Sequence, residues 1–376
     1  MTHRSSINFR YRGQTVELSD VGPMDTLLDW LRLDRGAVGT KEGCGEGDCG
    51  ACTLAIGTLR GDRVIYEPVN ACIQLLGMVD GKEIITVDDL AQNGKLHPVQ
   101  NAMVETHGSQ CGFCTPGFVM SLFTLYHHNG AVDRRTVNDQ IAGNLCRCTG
   151  YRPIADAALA ACSGAPSDAW SAKAGEAASH LAELDDGVDV FVGSEETFFA
   201  APASEDALAA LYRSHPDATL VGGATDVGLW ITKQLWTLPK IIHTGRIKPL
   251  HAVTEESDGL TIGAAATYAE AEAALGGIDP DIAEMLRRLG SKQVRASGTV
   301  GGNIANGSPI GDSPPVLIAL DARLHLRHGD AERIIALEDF FIDYGKQDRA
   351  AGEFVARVWV PRLTDEQLFR CYKISK

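Results

Sequence analysis

KEGCGEGDCGACT, residues 41–53, holds three cysteines in the spacing C-x4-C-x2-C among four glycines. Cys72, in NACIQ (70–74), completes a quartet with Cys44, Cys49 and Cys52. This is the spacing that holds a [2Fe–2S] cluster of the plant ferredoxin type. Four thiolates bring negative charge to two irons, so the chain must turn backbone N–H groups toward the sulfurs. Close wrapping of backbone needs residues without bulk, which Gly43, Gly45, Gly47 and Gly50 supply. Cys72 is expected at a helix start. Four cysteines can also hold structural zinc, but zinc ribbons favour two distant C-x2-C knuckles over a glycine-packed loop.

A second quartet follows: Cys111 and Cys114 in SQCGFCTPG (109–117), and Cys146 and Cys148 in NLCRCTGY (144–151). Thr115-Pro116 starts a helix after the first pair, and a helix N-terminus favours anionic ligands. In an extended strand a C-x-C pair points both side chains to one face. Thr149-Gly150 then suits a bend that closes the chain. Zinc is again the alternative. Two such quartets so close together form a wire for single electrons, and the second is expected to lie buried between helices, less exposed than the first.

The wider composition agrees with this. The net charge is −15, from 34 basic and 49 acidic residues, which argues against a nucleic-acid partner. The start, MTHRSSINFRYRGQ, has no apolar stretch of signal-peptide type. Apolar runs such as 118–126 fall short of the ~20 residues of a membrane span. A cytoplasmic protein with neither membrane nor nucleic-acid partner is expected. Of ten cysteines, Cys162 and Cys371 fall outside the quartets and read as structural thiols.

The periodicity divides the chain. Residues 7–18 read as a hairpin around Arg12-Gly13, and 25–33 as a helix covering it. Strands are expected at 53–56, 63–66 and 83–86, making residues 1–88 a small mixed sheet crossed by one helix. Four short helices are expected at 98–106, 116–127, 136–144 and 153–161, a bundle within a domain 89–162. Residues 163–190 have linker composition. From 191 to 376 the pattern is α/β, with strands at 219–221, 240–243, 260–265 and 323–327 and helices at 204–214, 225–235, 268–275 and 281–289.

Two glycine-rich loops stand out in this last region: TLVGGATDVGL (219–229), with a glycine pair at a strand end before a helix, and SGTVGGNIANGSPIGD (297–312). Glycines let amide donors approach a phosphate, and helix N-termini add positive potential. Neither stretch is a G-x-G-x-x-G dinucleotide fingerprint.

GTKEGCGEGDCGACT (39–53), NACI (70–73), SQCGFCTPGFVMS (109–121) and AGNLCRCTGYRPI (142–154) together resemble the iron–sulfur module of the molybdenum hydroxylases. The glycine stretches resemble that family's FAD domain. The resemblance implies an α+β multidomain fold: a ferredoxin-like β-grasp [2Fe–2S] domain, a four-helix-bundle [2Fe–2S] domain and a non-Rossmann FAD domain. It implies that Cys111, Cys114, Cys146 and Cys148 hold the cluster nearest a partner's molybdopterin, with Gln110 bonded to that pterin. Cys44, Cys49, Cys52 and Cys72 would then face the flavin. By the same match, FAD contacts fall on Leu220, Val221, Gly222, Gly223, Ala224, Thr225, Asp226 and Val227, and on Thr299, Val300, Gly301, Gly302 and Asn303. Further contacts are carried to Asp312, Val355 and Lys373, and to Leu289, whose plainer reading is helix core. The chain stops at LFRCYKISK (368–376), in what reads as the start of a strand pair. Family members continue into a third flavin subdomain, so a fragment or a C-terminally truncated flavin domain is expected.

Both clusters fused to FAD, without a molybdenum domain, resemble the small subunit of a purine-oxidising hydroxylase that reduces NAD. Its partner would be a molybdopterin-binding large subunit in an (αβ)2 heterotetramer, and no residue of this chain would act on substrate. The rivals are the equivalent subunit of an aldehyde or N-heterocycle hydroxylase, a stand-alone ferredoxin–flavin reductase, and a zinc-stapled scaffold. The expressed chain should carry about four irons, about four acid-labile sulfides and about one flavin. Metal analysis with a visible spectrum checks this; colourless protein with zinc and no iron would end the electron-transfer reading.

Overall fold

The structure, a computed structural model, describes residues 3–128, 130–343 and 345–374. Ile7–Tyr11 pairs antiparallel with Gln14–Leu18 across Arg12 and Gly13, both at positive φ (52° and 74°). A two-residue hairpin turn matched to strand twist requires such angles. These strands join Glu83–Ile85, Thr53–Arg60 and Arg63–Asn70 in one mixed five-stranded sheet. The covering helix starts at Leu27, capped by the Thr26 hydroxyl, and widens into a π turn over Trp30–Asp34. Trp30 packs edge-on against Phe9 and Tyr11 beneath it.

The expected boundary of the first domain needs one correction. His3–Arg4 pairs parallel with Asp189–Gly193, so the start of the chain is the edge of a flavin-side sheet. Arg4 then meets Asp80 and Asp186, and Arg246 meets the same two carboxylates. This four-membered charge cluster fastens the first domain to the last. Their apolar interiors are also continuous, with Leu76 and Val79 in one core with Val190, Phe199 and Ile241.

The bundle has its four helices, Pro98–Glu105, Thr115–Tyr126, Arg134–Ile141 and Arg152–Cys162, three of them with proline in the first turn. Cys162 is buried among them, which pushes its thiol up to about 12. Residues 163–190 are more than a spacer. They form helices Ala169–Ala172 and Ala174–Leu184, the second laid on the first domain through Arg10–Glu176 and Thr15–His180. Alanine-rich composition suits helix as well as linker, and only burial of Ala177 and Leu181 separates the two.

A buried clasp holds this segment to the bundle. Asp168 Oδ2 accepts from His97 Nε2 (2.9 Å) and His127 Nε2 (2.8 Å), while Oδ1 accepts from the Ser171 amide and hydroxyl. The three His and Asp ligand atoms lie within 4.8 Å of one another, close enough for a metal ion. However, His97 Nδ1 accepts the Val99 N–H, so the ring proton sits on Nε2, which is therefore a donor and no metal ligand. Burial alone would raise the Asp168 carboxyl, but the His127, His97 and Ser171 donors outweigh it and hold it well below the usual range.

The flavin-side region is less uniformly α/β than its sequence pattern. Its first sheet runs His3–Arg4, Asp189–Gly193, Phe198–Ala201, Lys240–His243, Thr219–Val221 and is largely parallel. Its second, Val253–Glu255, Gly259–Gly263, Phe354–Pro361, Arg323–His328, Ala331–Ala336, is wholly antiparallel. Residues 297–312 do not form one loop: Val300–Asn306 is a helix, with the Thr299 hydroxyl accepting the Gly302 amide. Nor does the closing stretch start a strand pair: residues 368–374 lie outside the strands, while Ser375 and Lys376 fall outside the described residues.

Replacing Asp168 by alanine removes two charge-assisted hydrogen bonds and a helix cap, a loss of about 2–4 kcal/mol at neutral pH. Because the folded carboxyl is depressed, its contribution is present above the ordinary value near ~4 and is lost only in stronger acid. Faster limited proteolysis within residues 163–187 of Asp168→Ala at neutral pH checks this; unchanged cleavage would remove the clasp's role.

Candidate electron-transfer site

The first quartet is assembled by the loop 43–52 and by Cys72, which lies on a turn after strand Arg63–Asn70 and not at a helix start. Gly45, Gly47 and Gly50 all have positive φ (66°, 76° and 70°), so the loop needs glycine there. The freed amides point at sulfur: Cys44 N to Cys49 Sγ (3.3 Å), Cys49 N to Cys44 Sγ (3.3 Å) and Glu46 N to Cys44 Sγ (3.4 Å). Asn70 Nδ2 fastens the loop through the Gly47 carbonyl at 2.7 Å.

The sulfurs fall into pairs. Cys52 and Cys72 are 3.3 Å apart, and Cys44 and Cys49 sit against each other's amides. In the second quartet Cys114 contacts Cys146, and Cys111 contacts Cys148. Tetrahedral zinc would hold all four sulfurs about 3.8 Å apart, from Zn–S bonds of about 2.3 Å. Among the described residues no three cysteine sulfurs lie within 4.8 Å of one another. Two pairs for two irons fit a [2Fe–2S] core and do not fit one zinc ion.

Exposure corrects one expectation. Cys52 and Cys72 are buried (2% and 3% exposed), whereas Cys111 and Cys148 are exposed. The second quartet sits at the end of the bundle, because its knuckle precedes helix Thr115–Tyr126 and its other pair follows Arg134–Ile141. The C-x-C pair lies in a bend, not an extended strand. The Thr149 amide and hydroxyl turn back to Cys146 Sγ, and the Tyr151 hydroxyl accepts the Cys146 amide at 3.0 Å. Phe113, Leu145 and Tyr151 form an exposed apolar rim here, with exposed Gln110 in the same knuckle.

The two quartets touch through backbone. The Leu145 amide donates to the Cys49 carbonyl (2.9 Å), so one hydrogen bond joins a residue next to Cys146 with a ligand of the first quartet. Asn144 Nδ2 donates to the Gly50 carbonyl (3.0 Å), and a side chain at Gly117 would strike that carbonyl at 2.1 Å. Phe113 reaches toward Gly43 as well.

On its other side the first loop forms a wall of a cleft of about 570 Å³, a volume typical of cofactor sites. Glu46, Gly47 and Ile73 line this wall. Facing them are residues 220–227, Leu289, Thr299, Gly301, Gly302, Asn303 and Val355, all singled out from the sequence. Val300 is not among them; it is fully buried in the core beneath. Asp312 and Lys373 also lie outside this lining, paired with each other at its margin. Trp230, Tyr268 and Arg349 line the cleft without carrying a motif that sequence could flag. The glycines serve close packing as much as ligand access. A Cβ on Gly223 would lie 1.7 Å from the Ser297 carbonyl, and one on Gly301 2.4 Å from Ala264.

Residues 86–159 match the family model for a [2Fe-2S] binding domain, and 194–363 that for the FAD binding domain in molybdopterin dehydrogenase. Both matched domains are parts of molybdenum hydroxylases, the family that the chain resembles. The chain is 31% identical to the xanthine dehydrogenase/oxidase of Mus musculus, over 97% of this chain and 31% of that protein. With aldehyde oxidase 2 of Cavia porcellus it shares 32% identity, over 94% of this chain and 31% of the relative. Among solved structures it resembles a chain of quinoline 2-oxidoreductase from Pseudomonas putida 86 (35% identity, 41% of this chain, 89% of that chain, TM-score 0.35). The chain thus spans about a third of the length of these curated relatives, and the part it matches is the iron–sulfur and flavin part.

Gly223→Ala should separate flavin from iron. The methyl cannot be accommodated beside the Ser297 carbonyl, so the ridge shifts at a cost of about 1–3 kcal/mol. Flavin should be lost on desalting while iron content is retained; full flavin retention would contradict this account of the ridge.

Proposed function

We propose that the chain is the electron-transfer subunit of a cytoplasmic xanthine dehydrogenase. A molybdopterin-binding partner would oxidise hypoxanthine and xanthine to urate, in a heterotetramer of two such pairs. The electrons would leave through this chain to NAD. When bound, the two clusters supply one-electron relay, and FAD supplies the switch to two-electron hydride chemistry. Cys44, Cys49, Cys52 and Cys72 would hold one cluster, and Cys111, Cys114, Cys146 and Cys148 the other. Residues 220–227 and 299–303 would hold FAD, with Leu289 and Val355 on the walls and Asp312 and Lys373 at the margin.

One observation carries this reading: the order of the parts. The exposed Cys111/Cys148 end leads through the Leu145–Cys49 hydrogen bond to the buried quartet, whose loop lines the cleft. The apolar rim of Phe113, Leu145 and Tyr151 suits a protein partner at the exposed end, and Gln110, exposed in the same knuckle, would bond that partner's pterin. A stand-alone reductase has no use for that rim. The chain needs no acid, base or nucleophile toward substrate; its residues set distance, burial and charge. The similarity to an aldehyde oxidase supports a second reading with the same wire, in which the partner oxidises an aldehyde or N-heterocycle.

The test is to co-express the chain with its molybdopterin-binding partner and assay hypoxanthine and xanthine with NAD. Turnover of both is expected, and Gln110→Ala should slow reduction of the second cluster at unchanged iron content. Turnover of aldehydes alone would move the assignment to the second reading. Full activity without any partner would overturn both.

A further inference from the structure

The first quartet sits in an acidic loop. Glu42, Glu46 and Asp48 flank its cysteines, and the loop's own lysine, Lys41, is turned away onto the Val38 carbonyl at 2.8 Å. Adding an electron to a thiolate-held cluster in such surroundings is opposed by like charge. One cation reaches the loop from outside. Lys233 is the C-cap of helix Val227–Thr232, which begins within the glycine stretch of the flavin-side region. Its ammonium donates to the Cys44 carbonyl, and lies 3.9 Å from Glu46 Oε2, too far for a tight pair. Gly45, at positive φ (66°), lies beside it: a Cβ there would stand 3.7 Å from Lys233 Nζ, in ordinary contact. Lys233 is not among the residues that line the flavin cleft, although Glu46 beside it is.

We infer that Lys233 sets the reduction potential of the first cluster, raising it so that electrons run downhill from the exposed cluster toward the flavin. The inference rests on the electron-transfer reading above. Each step moves one electron from the second cluster to the first, with no bond made or broken. A positive charge beside Cys44 stabilises the more negative, reduced form. It lies several residues and a backbone hydrogen bond away from the second cluster, so its effect falls mainly on the first. Lys233 touches no substrate; it tunes the cluster through charge.

Potentiometric EPR titration of the holo chain, as wild type, Lys233→Gln and Lys233→Arg, tests this. The first cluster's signal is the one that Cys72→Ser perturbs. In Lys233→Gln its midpoint should fall, shifting the electron partition between clusters by up to about tenfold, or about 59 mV for one electron. The second cluster's midpoint and the flavin content should stay at wild-type values, and Lys233→Arg should behave as wild type. Should Lys233→Gln lose its cluster, Lys233→Met serves as the neutral variant. An unchanged midpoint, equal shifts in both clusters, or an Arg variant that matches Gln would overturn the inference alone. Fewer than two cluster signals in the wild type would overturn the electron-transfer reading and this inference with it.

Discussion

The hydrogen bond from the Leu145 amide to the Cys49 carbonyl is the contact on which the arrangement depends. Electron tunnelling falls steeply with distance, so two clusters on separate domains are useful as a relay only if their loops touch. That contact demands near-absence of side chains on both sides. Gly50 and Gly117 supply it, since a methyl on Gly117 would overlap the Gly50 carbonyl and one on Gly50 would overlap the Gly143 carbonyl. The same loop must offer amides to sulfur, so its glycines are constrained twice over.

The flavin-side region is fastened to this junction by a buried polar network. Gln293 Nε2 shares its two protons among Thr53 on strand Thr53–Arg60, Ser121 on helix Thr115–Tyr126 and Asn144 in the turn after helix Arg134–Ile141, at 3.0–3.3 Å. Ser121 and Asn144 are themselves bonded at 2.7 Å. Buried polar groups of this kind are costly unless paired, and once paired they fix a single register. Here the register decides how far the cleft lies from the first quartet. The Arg4, Asp80, Arg246 and Asp186 cluster fixes the same relation from the other side.

Much of the local structure was legible. The hairpin at 7–18, the four bundle helices and the strands at 219–221 and 240–243 follow from alternation, helical spacing, proline and glycine placement. What failed did so for identifiable reasons. Residues 297–312 were dense in glycine and looked like a loop, but helix Val300–Asn306 needs those glycines to pack against Ala264. Residues 163–190 looked like a spacer because small residues say little until Leu181 and Ala177 find a surface to cover. Trp230 and Tyr268 gave no signal, since single aromatic residues carry no spacing.

By itself the sequence determined the chemistry: eight cysteines in two fixed spacings, and glycines where backbone must approach sulfur or another chain segment. Those are local demands, set by bond lengths and φ angles, and they leave a mark within a dozen residues. Only the tertiary structure decided which quartet is exposed, because exposure depends on where the end of the bundle falls relative to the sheet. It also decided that Lys233 lies over Cys44, across 189 positions of chain. Long-range contacts of that kind leave no local pattern, since any residue with the right reach can make them once the domains have docked.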